Sequence, residues 1–339
     1  MTSVMSVRPA ATRAPAAARG TLALLLDVGS KTGLGHWHRC LALADTLRAR
    51  WNITLVTPPL APALQEELIS RQQQFCEAAD WSPEAVLKAV VGCPHPDVFV
   101  LDLIATPVDL VAALREVAPV ASVGGAGPGR DSVDLRIDGM IPRLGFSDNF
   151  HGGKLLVGPE YVMLRDEFVP DVRPVPDRVE NVLVALGGDA EGRGLRLAEQ
   201  LARTHSNFEF NVVLGPLAEA TTSARGVHAH VNPAAVSRLM RDAQVAICSG
   251  GMTAYELCRV GVPMILHPQT VLQYEAAGAF AAQDLAVLAV TAVEVSAALN
   301  RLTSLSARSA LRCQQNALLT ERGVVRVADE LNSAFLPAA

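Results

Sequence analysis

Two uninterrupted apolar runs, Thr21-Leu22-Ala23-Leu24-Leu25-Leu26 and Asn181-Val182-Leu183-Val184-Ala185-Leu186, each lead into a glycine-containing loop and then a helical stretch. A strand-length run with no polar face must be covered on both sides. The unit that supplies such cover is strand, loop and crossover helix, repeated along a parallel sheet. Because the pattern starts twice, the chain is expected to be α/β, with two doubly wound, Rossmann-like domains facing each other across a cleft that holds a ligand. A length of 339 residues suits this division, at roughly 150 residues per domain. Each half can bury a core without disulfide or metal staples.

In the first half the pattern predicts strands at Thr21 to Asp27, Ile53 to Thr57 and Asp97 to Asp102, with shorter ones at Pro119 to Val123 and Val133 to Ile137. Helices are predicted from about Gly35 to Arg50, Ala61 to Arg71, Ser82 to Val91 and Pro107 to Val117. The polar, proline-rich stretch Asp171-Val172-Arg173-Pro174-Val175-Pro176-Asp177 reads as a linker. Beyond it come strands at Asn181 to Leu186, Phe208 to Leu214, Gln244 to Cys248 and Pro263 to Leu266. Helices are predicted at Gly192 to His205, Ala234 to Asp242, Met252 to Val260, Val271 to Ala282, Val293 to Leu302, Leu305 to Glu321 and Val325 to Phe335. The expected division is a disordered tail over 1–20, a first domain over 21–165, a linker over 166–180 and a second domain over 181–320. A C-terminal helix over 321–339 is expected to pack back on the first domain. The tail carries Arg8, Arg13 and Arg19 and no acid, but no apolar segment of the secretory type.

Composition narrows the classes. With 50% hydrophobic and 19% charged residues, the chain is not disordered. A net charge of -5 with no Lys/Arg tract argues against nucleic acid as a partner. The apolar runs fall far short of the roughly 20 residues a spanning helix needs, so no stable membrane insertion is expected. Cys40, Cys76, Cys93, Cys248, Cys258 and Cys313 form no CxxC pair and read as reduced core residues of a cytoplasmic protein. Nothing in the pattern sets an oligomeric state.

In open α/β sheets the ligand sits outside the carboxyl ends of the strands. The loop Gly33-Leu34-Gly35-His36-Trp37-His38-Arg39-Cys40 places His36 in the first turn of a helix. A helix start disfavours the imidazolium, which suits a general base acting on water; the bland alternative is a polar residue near a cap. His36 and His38 point about 200° apart on a helix and cannot share one ion, so no metal is expected. Arg39, on the face of His36, either binds an acidic ligand group or forms a helix salt bridge. In Cys248-Ser249-Gly250-Gly251-Met252-Thr253-Ala254-Tyr255-Glu256, a strand ends in Ser-Gly-Gly before a helix, the arrangement that binds phosphate. Glu256, one turn in, either accepts both hydroxyls of a ribose or faces solvent. Gln273 sits beside the same ligand or on the surface. Gly187-Gly188-Asp189 offers backbone N–H groups to a sugar or pyrophosphate, with Asp189 alternatively capping the next helix.

At these residues a resemblance becomes specific. Gly33-x-Gly35-His36-x-x-Arg39-Cys40 resembles the opening motif of the pseudaminic-acid-pathway UDP-sugar hydrolases, which are similar to the lipid II-forming glycosyltransferase and share its GT-B fold. Leu156-x-Gly158-Pro159-x-Tyr161-x-x-Leu164-Arg165-x-Glu167-Phe168 resembles that family's inter-domain segment. Leu186-Gly187-Gly188-Asp189, Ser249-Gly250-Gly251-Met252-Thr253-x-Tyr255-Glu256-Leu257, Gly261-Val262-Pro263 and Gln273 resemble its second domain, in the same order. The chain departs at Ile104, where the family has tyrosine, and at Val123-Gly124-Gly125-Ala126-Gly127, where it has paired aspartates. Both places are expected on the sugar wall.

The resemblance implies hydrolysis of a UDP-linked acetamido-deoxysugar to free sugar and UDP, with no cofactor. His36 would activate the water and Arg39 would support the sugar or the leaving diphosphate. Ser249, Gly250, Gly251 and Thr253 would hold the diphosphate, with Glu256 on the ribose and Gln273 nearby. Gly33, Gly35, Leu164, Arg165, Phe168, Gly187, Gly188 and Asp189 would line the substrate. The alternatives are a glycosyltransferase using the same donor, a non-catalytic nucleotide-sugar binder, and an epimerase of similar fold.

Overall fold

The computed structural model describes residues 19–28, 35–142, 149–187, 189, 191–215, 218, 222–319 and 321–336. The first half comprises β1 (Gly20–Leu26), α1 (Gly35–Leu47), β2 (Trp51–Thr57), α2 (Pro62–Ser70), β3 (Gln74–Glu77), α3 (Pro83–Val90), β4 (Val98–Leu103), α4 (Val108–Arg115), β5 (Val120–Gly125), β6 (Leu135–Asp138) and β7 (Lys154–Val157). The second comprises β8 (Asn181–Ala185), α5 (Arg193–Ala202), β9 (Glu209–Leu214), β10 (Val227–Val231), α6 (Val236–Asp242), β11 (Val245–Cys248), α7 (Met252–Val260), β12 (Met264–Leu266), α8 (Val271–Ala281), β13 (Val287–Leu288), α9 (Ala292–Arg301), α10 (Leu305–Leu318) and α11 (Gly323–Phe335).

These form two parallel sheets, ordered β3-β2-β1-β4-β5-β6-β7 and β10-β9-β8-β11-β12-β13. In each, the order reverses beside the first strand, giving a switch point between β1 and β4 and another between β8 and β11. The central strands are apolar on both faces and fully covered: every residue of β4 is buried. Helix boundaries follow local chemistry. Ser82 caps α3 with Pro83 just inside, and Thr291 with Glu294 makes a reciprocal capping box on α9. The α7 helix stops at Gly261, whose φ of 81° and N–H bonds to Leu257 and Cys258 carbonyls close it.

The strands β3, β7, β10 and β13 were not evident in the sequence. β3 and β10 are sheet edges with polar residues, and β13 is two residues long. Cysteine burial also departs from expectation. Cys40, Cys248 and Cys258 are buried, whereas Cys76 and Cys93 are half-buried and Cys313 is exposed.

The chain crosses between the halves more than once. Val324, Val327, Ala328 and Leu331 of α11 join the first domain's core with Leu41, Leu43 and Trp51. Trp51 Nε1–H donates to Asn332 at 2.7 Å, and Lys154 pairs with Glu330 at 2.7 Å. The linker is held from the second domain by wholly buried Arg308, which donates to the carbonyls of Pro176 (2.6 Å) and Asp177 (2.9 Å). Among the described residues no helix is long and apolar enough to cross a membrane.

Candidate active site

The first switch point places Leu26 of β1 beside Asp102 of β4, with α1 starting directly above. One face of α1 converges on the Asp102 carboxylate. His36 Nδ1 lies 3.0 Å from Oδ1 and 3.1 Å from the Asp102 carbonyl oxygen. Arg39 donates from Nε to Oδ2 and from Nη2 to Oδ1, each at 2.5 Å, and the Cys40 thiol donates to Oδ2 at 3.2 Å. These residues are three and four apart, the spacing that shares a helix face.

Asp102 is fully buried, and burial alone would push its carboxyl up. The Arg39 charge and the hydrogen bonds from His36 and Arg39 outweigh this and hold it well below the usual carboxylate range. The same surroundings act oppositely on Cys40: burial, then the Asp102 charge, push its thiol well up and leave it inert. With Asp102 ionised, the tautomer consistent with this network has His36 Nδ1–H donating and Nε2 carrying the lone pair. Arg39 Nη2, 2.8 Å from Nδ1, then shares Oδ1 with the ring rather than donating to it. Arg39 therefore forms no salt bridge along its own helix: its Nε and Nη2 are committed to Asp102 on β4.

A register shift between Leu101 and Asp102 sets Gly124 of β5 opposite Asp102. A Cβ there would lie 2.5 Å from Asp102 Oδ1 and 3.0 Å from Arg39 Nη2. Gly124, expected on the sugar wall, instead backs the ion pair. Ile104 is 43% exposed at the end of β4. Its N–H donates to Asp27 Oδ2 at 2.6 Å, while the Trp81 indole donates to Asp27 Oδ1 at 2.7 Å. Asp27 thus ties the ends of β1 and β4 to the loop before α3. Gly35 opens α1, and among the described residues nothing lies within 4 Å of where its Cβ would stand; Gly33 lies outside the described residues.

The second switch point pairs Ala185 of β8 with Cys248 of β11. Ser249 is buried, Gly250 turns the chain at φ 91°, and Gly251 precedes α7 with no side-chain cap. The first-turn N–H groups of α7 are therefore available to an anion. Thr253 is half-buried in that turn. Glu256, one turn on, is pushed up to about 7 by burial and by Glu167, against the opposing charge of Arg165. Tyr255 is buried, and its hydroxyl accepts the Ile141 N–H at 2.7 Å, joining the halves beneath Glu256.

Other expected ligand groups are spent on structure. Both Asp189 oxygens take α5 backbone N–H groups, from Arg193 at 2.9 Å and Gly194 at 2.6 Å, so Asp189 caps. Gln273 accepts the Gln269 N–H at 2.8 Å and closes its own loop. Leu164 packs on the second domain's core and Phe168 lies within it. Of that segment Arg165 keeps a polar group at the junction: it stacks on Phe168 (4.9 Å), pairs with Glu167 (2.6 Å) and stands 4.0 Å from Glu256. Half-buried His38 is lowered by burial and then by Arg165, so α1 reaches the same junction. Gly187 takes φ 89°; Gly188 lies outside the described residues.

Sequence reasoning missed Asp102 as a site residue. Its signal was a charged residue closing an otherwise apolar strand, opposite a glycine pair. Among the described residues no group of three or more His, Cys, Asp or Glu could hold a metal ion. A cavity of about 560 Å³ lies at the other, amino end of the second sheet under the linker, where Arg173 and Arg312 are already bonded to Asp171.

No protein-family model matches the chain. It is 24% identical over 278 residues to the uncharacterized protein MJ1062 of Methanocaldococcus jannaschii, covering 75% of this chain and 57% of that protein. It therefore spans little more than half of that relative's length. It is 22% identical over 280 residues to the spore coat polysaccharide biosynthesis protein SpsG of Bacillus subtilis, covering 78% of this chain and 82% of that one. Among solved structures, CalG4, the calicheamicin glycosyltransferase, superposes with a TM-score of 0.66 at 16% identity, over 94% of this chain and 98% of the other. That likeness is one of fold: two Rossmann-like domains in the GT-B arrangement.

Proposed function

We propose that the chain is a nucleotide-sugar enzyme that moves a glycosyl group from a UDP-sugar to an acceptor hydroxyl. The observation that carries this is the His36–Asp102 pair at one switch point, combined with an uncapped Ser-Gly-Gly helix start at the other. His36 Nε2 takes the acceptor proton as its oxygen attacks the anomeric carbon, and ionised Asp102 stabilises the imidazolium that forms. The N–H groups at Gly251 to Thr253 and the Ser249 and Thr253 hydroxyls receive the departing diphosphate, whose charge the helix start favours. Ionised Glu256 accepts the ribose hydroxyls. That CalG4, which shares this fold, is a glycosyltransferase supports transfer over hydrolysis.

A second reading, hydrolysis with water as acceptor, is supported by the opening motif around His36 and the inter-domain segment ending at Phe168. One experiment separates them. UDP release is followed from UDP-acetamidosugars and other UDP-sugars, with water alone and with added sugar, lipid-linked or aglycone acceptors. Release that needs an acceptor selects transfer; release in water alone selects hydrolysis. No release from any donor, by protein that binds UDP in calorimetry, sinks both.

A further inference from the structure

Two carboxylates share the Arg165 guanidinium. Its Nη1 pairs with Glu167 at 2.6 Å, while its Nη2 stands 4.0 Å from Glu256 Oε1. The guanidinium lies over the Phe168 ring, 4.9 Å from the centre, and Phe168 belongs to the second domain's core. Stacking holds the fork over that ring, between the two acids. Glu167 is anchored separately: its backbone carbonyl accepts a hydrogen bond from Arg241 Nη1 at 3.2 Å. Among the described residues Arg165 is the cation that pairs with Glu256.

We propose that Glu167 is a positioning residue of the nucleotide site: it holds the Arg165 fork short of Glu256 and leaves the ribose-binding carboxylate without a close countercharge. The inference rests on the reading of Glu256 as the ribose ligand. A guanidinium and a carboxylate in full contact stand about 2.7–2.9 Å apart. At 2.6 Å the Glu167 pair is closed, and at 4.0 Å the Glu256 pair is open. Without the Glu167 charge, nothing draws the fork away from Glu256, and attraction strengthens as the gap closes.

The groups around Glu256 fit this arrangement. Burial pushes its carboxyl up to about 7; Arg165 opposes the rise and Glu167 adds to it. The Cys248 thiol is itself pushed up to about 12 by burial and stays uncharged. His38 of α1, which faces Arg165 and Glu167, is lowered by burial first and Arg165 next, so it brings no charge near neutral pH. The consequence is regulatory: UDP binding turns on across neutral pH, where a closed Arg165–Glu256 pair would have it complete at lower pH.

The test measures UDP binding by calorimetry from pH 5 to 9, on the full chain and its variants. The wild-type affinity is expected to rise with a midpoint near 7. Glu167→Gln should lower that midpoint by about 1 unit, which makes UDP about 5-fold tighter at pH 6. Arg165→Met should move the midpoint the other way. Glu167→Gln combined with Glu256→Gln should show the same flat profile as Glu256→Gln alone. A purely structural Glu167 would weaken UDP equally at every pH; that result, or an unmoved midpoint, overturns the inference and leaves the nucleotide reading standing. A shift that persists without the Glu256 carboxylate also overturns it. A wild-type chain that binds no UDP at any pH overturns both.

Discussion

Arg39 closes a two-point fork on the buried carboxylate of Asp102, with Nε and Nη2 each 2.5 Å from a different oxygen. Arg39→Ala leaves that carboxylate without its countercharge and is expected to cost about 3–5 kcal/mol in urea unfolding. Arg39→Lys should recover only part, because an ammonium cannot make both bonds. Since Asp102 is held below its ordinary value near 3.8, its stabilisation is full above that pH and fades as pH falls below it. Acid unfolding profiles should show this loss in the wild type and much less of it in Arg39→Ala.

His36 and Glu256 should separate turnover from binding. His36→Ala is expected to lower kcat by about 10²–10⁴ with UDP affinity little changed. Glu256→Gln should weaken UDP by about 10-fold or more through loss of charge-assisted hydrogen bonds. Steady-state kinetics with calorimetry on the same preparations checks the split.

Glu256 also makes UDP binding depend on pH. Its carboxyl sits near 7, so ribose hydroxyls that need the ionised form must displace a proton below that value. Affinity should rise between pH 6 and 8, with proton release seen as a buffer-dependent enthalpy, and Glu256→Gln should flatten the profile. Stability has the opposite sense. A raised carboxyl favours the fold fully below its ordinary 4.5, and this benefit is lost as pH climbs through about 7. Glu256→Gln should therefore gain on the wild type above pH 7 and lose that advantage toward pH 5.

Gly124→Ala sets a methyl against Asp102 and Arg39. The expected cost is about 1–3 kcal/mol in stability, with a fall in turnover as the pair shifts. Gly278→Ala, in α8 with nothing among the described residues within 4 Å of the added carbon, should be neutral or stabilising. Parallel thermal unfolding of the two variants makes the comparison.

Arg308→Ala strands the Pro176 and Asp177 carbonyls that the guanidinium now satisfies. A loss of about 2–4 kcal/mol is expected, and limited proteolysis should cut first within 171–177.

What could be read in advance follows from where each signal resides. Met252–Val260 was readable as a helix to the residue, because strand end, glycine pair and Gly261 all lie in one short stretch. The double start at Thr21 and Asn181 sufficed for two doubly wound sheets. Gln74–Glu77 was not readable, since a four-residue polar edge strand borrows its structure from β2. Site residues divide the same way. His36 and the Ser249-Gly250-Gly251 turn announce themselves locally. Asp102 gains its meaning from Arg39, 63 positions away. Asp189, Gln273 and Phe168 have ligand-like neighbours in sequence, but backbone donors and core contacts in space claim them.

The packing of α11 on the first domain also orders events in time. Trp51 and Asn332 are 281 positions apart, yet one hydrogen bond joins them inside a single core. At roughly 5–20 residues per second of synthesis, the ribosome makes the partner of that indole tens of seconds after β2 has emerged. Until then the apolar seam beside α1 stays uncovered, so the half of the chain made first is finished last. A nascent chain stalled before residue 323 should hold a formed second sheet beside a first domain that still exposes hydrophobic surface.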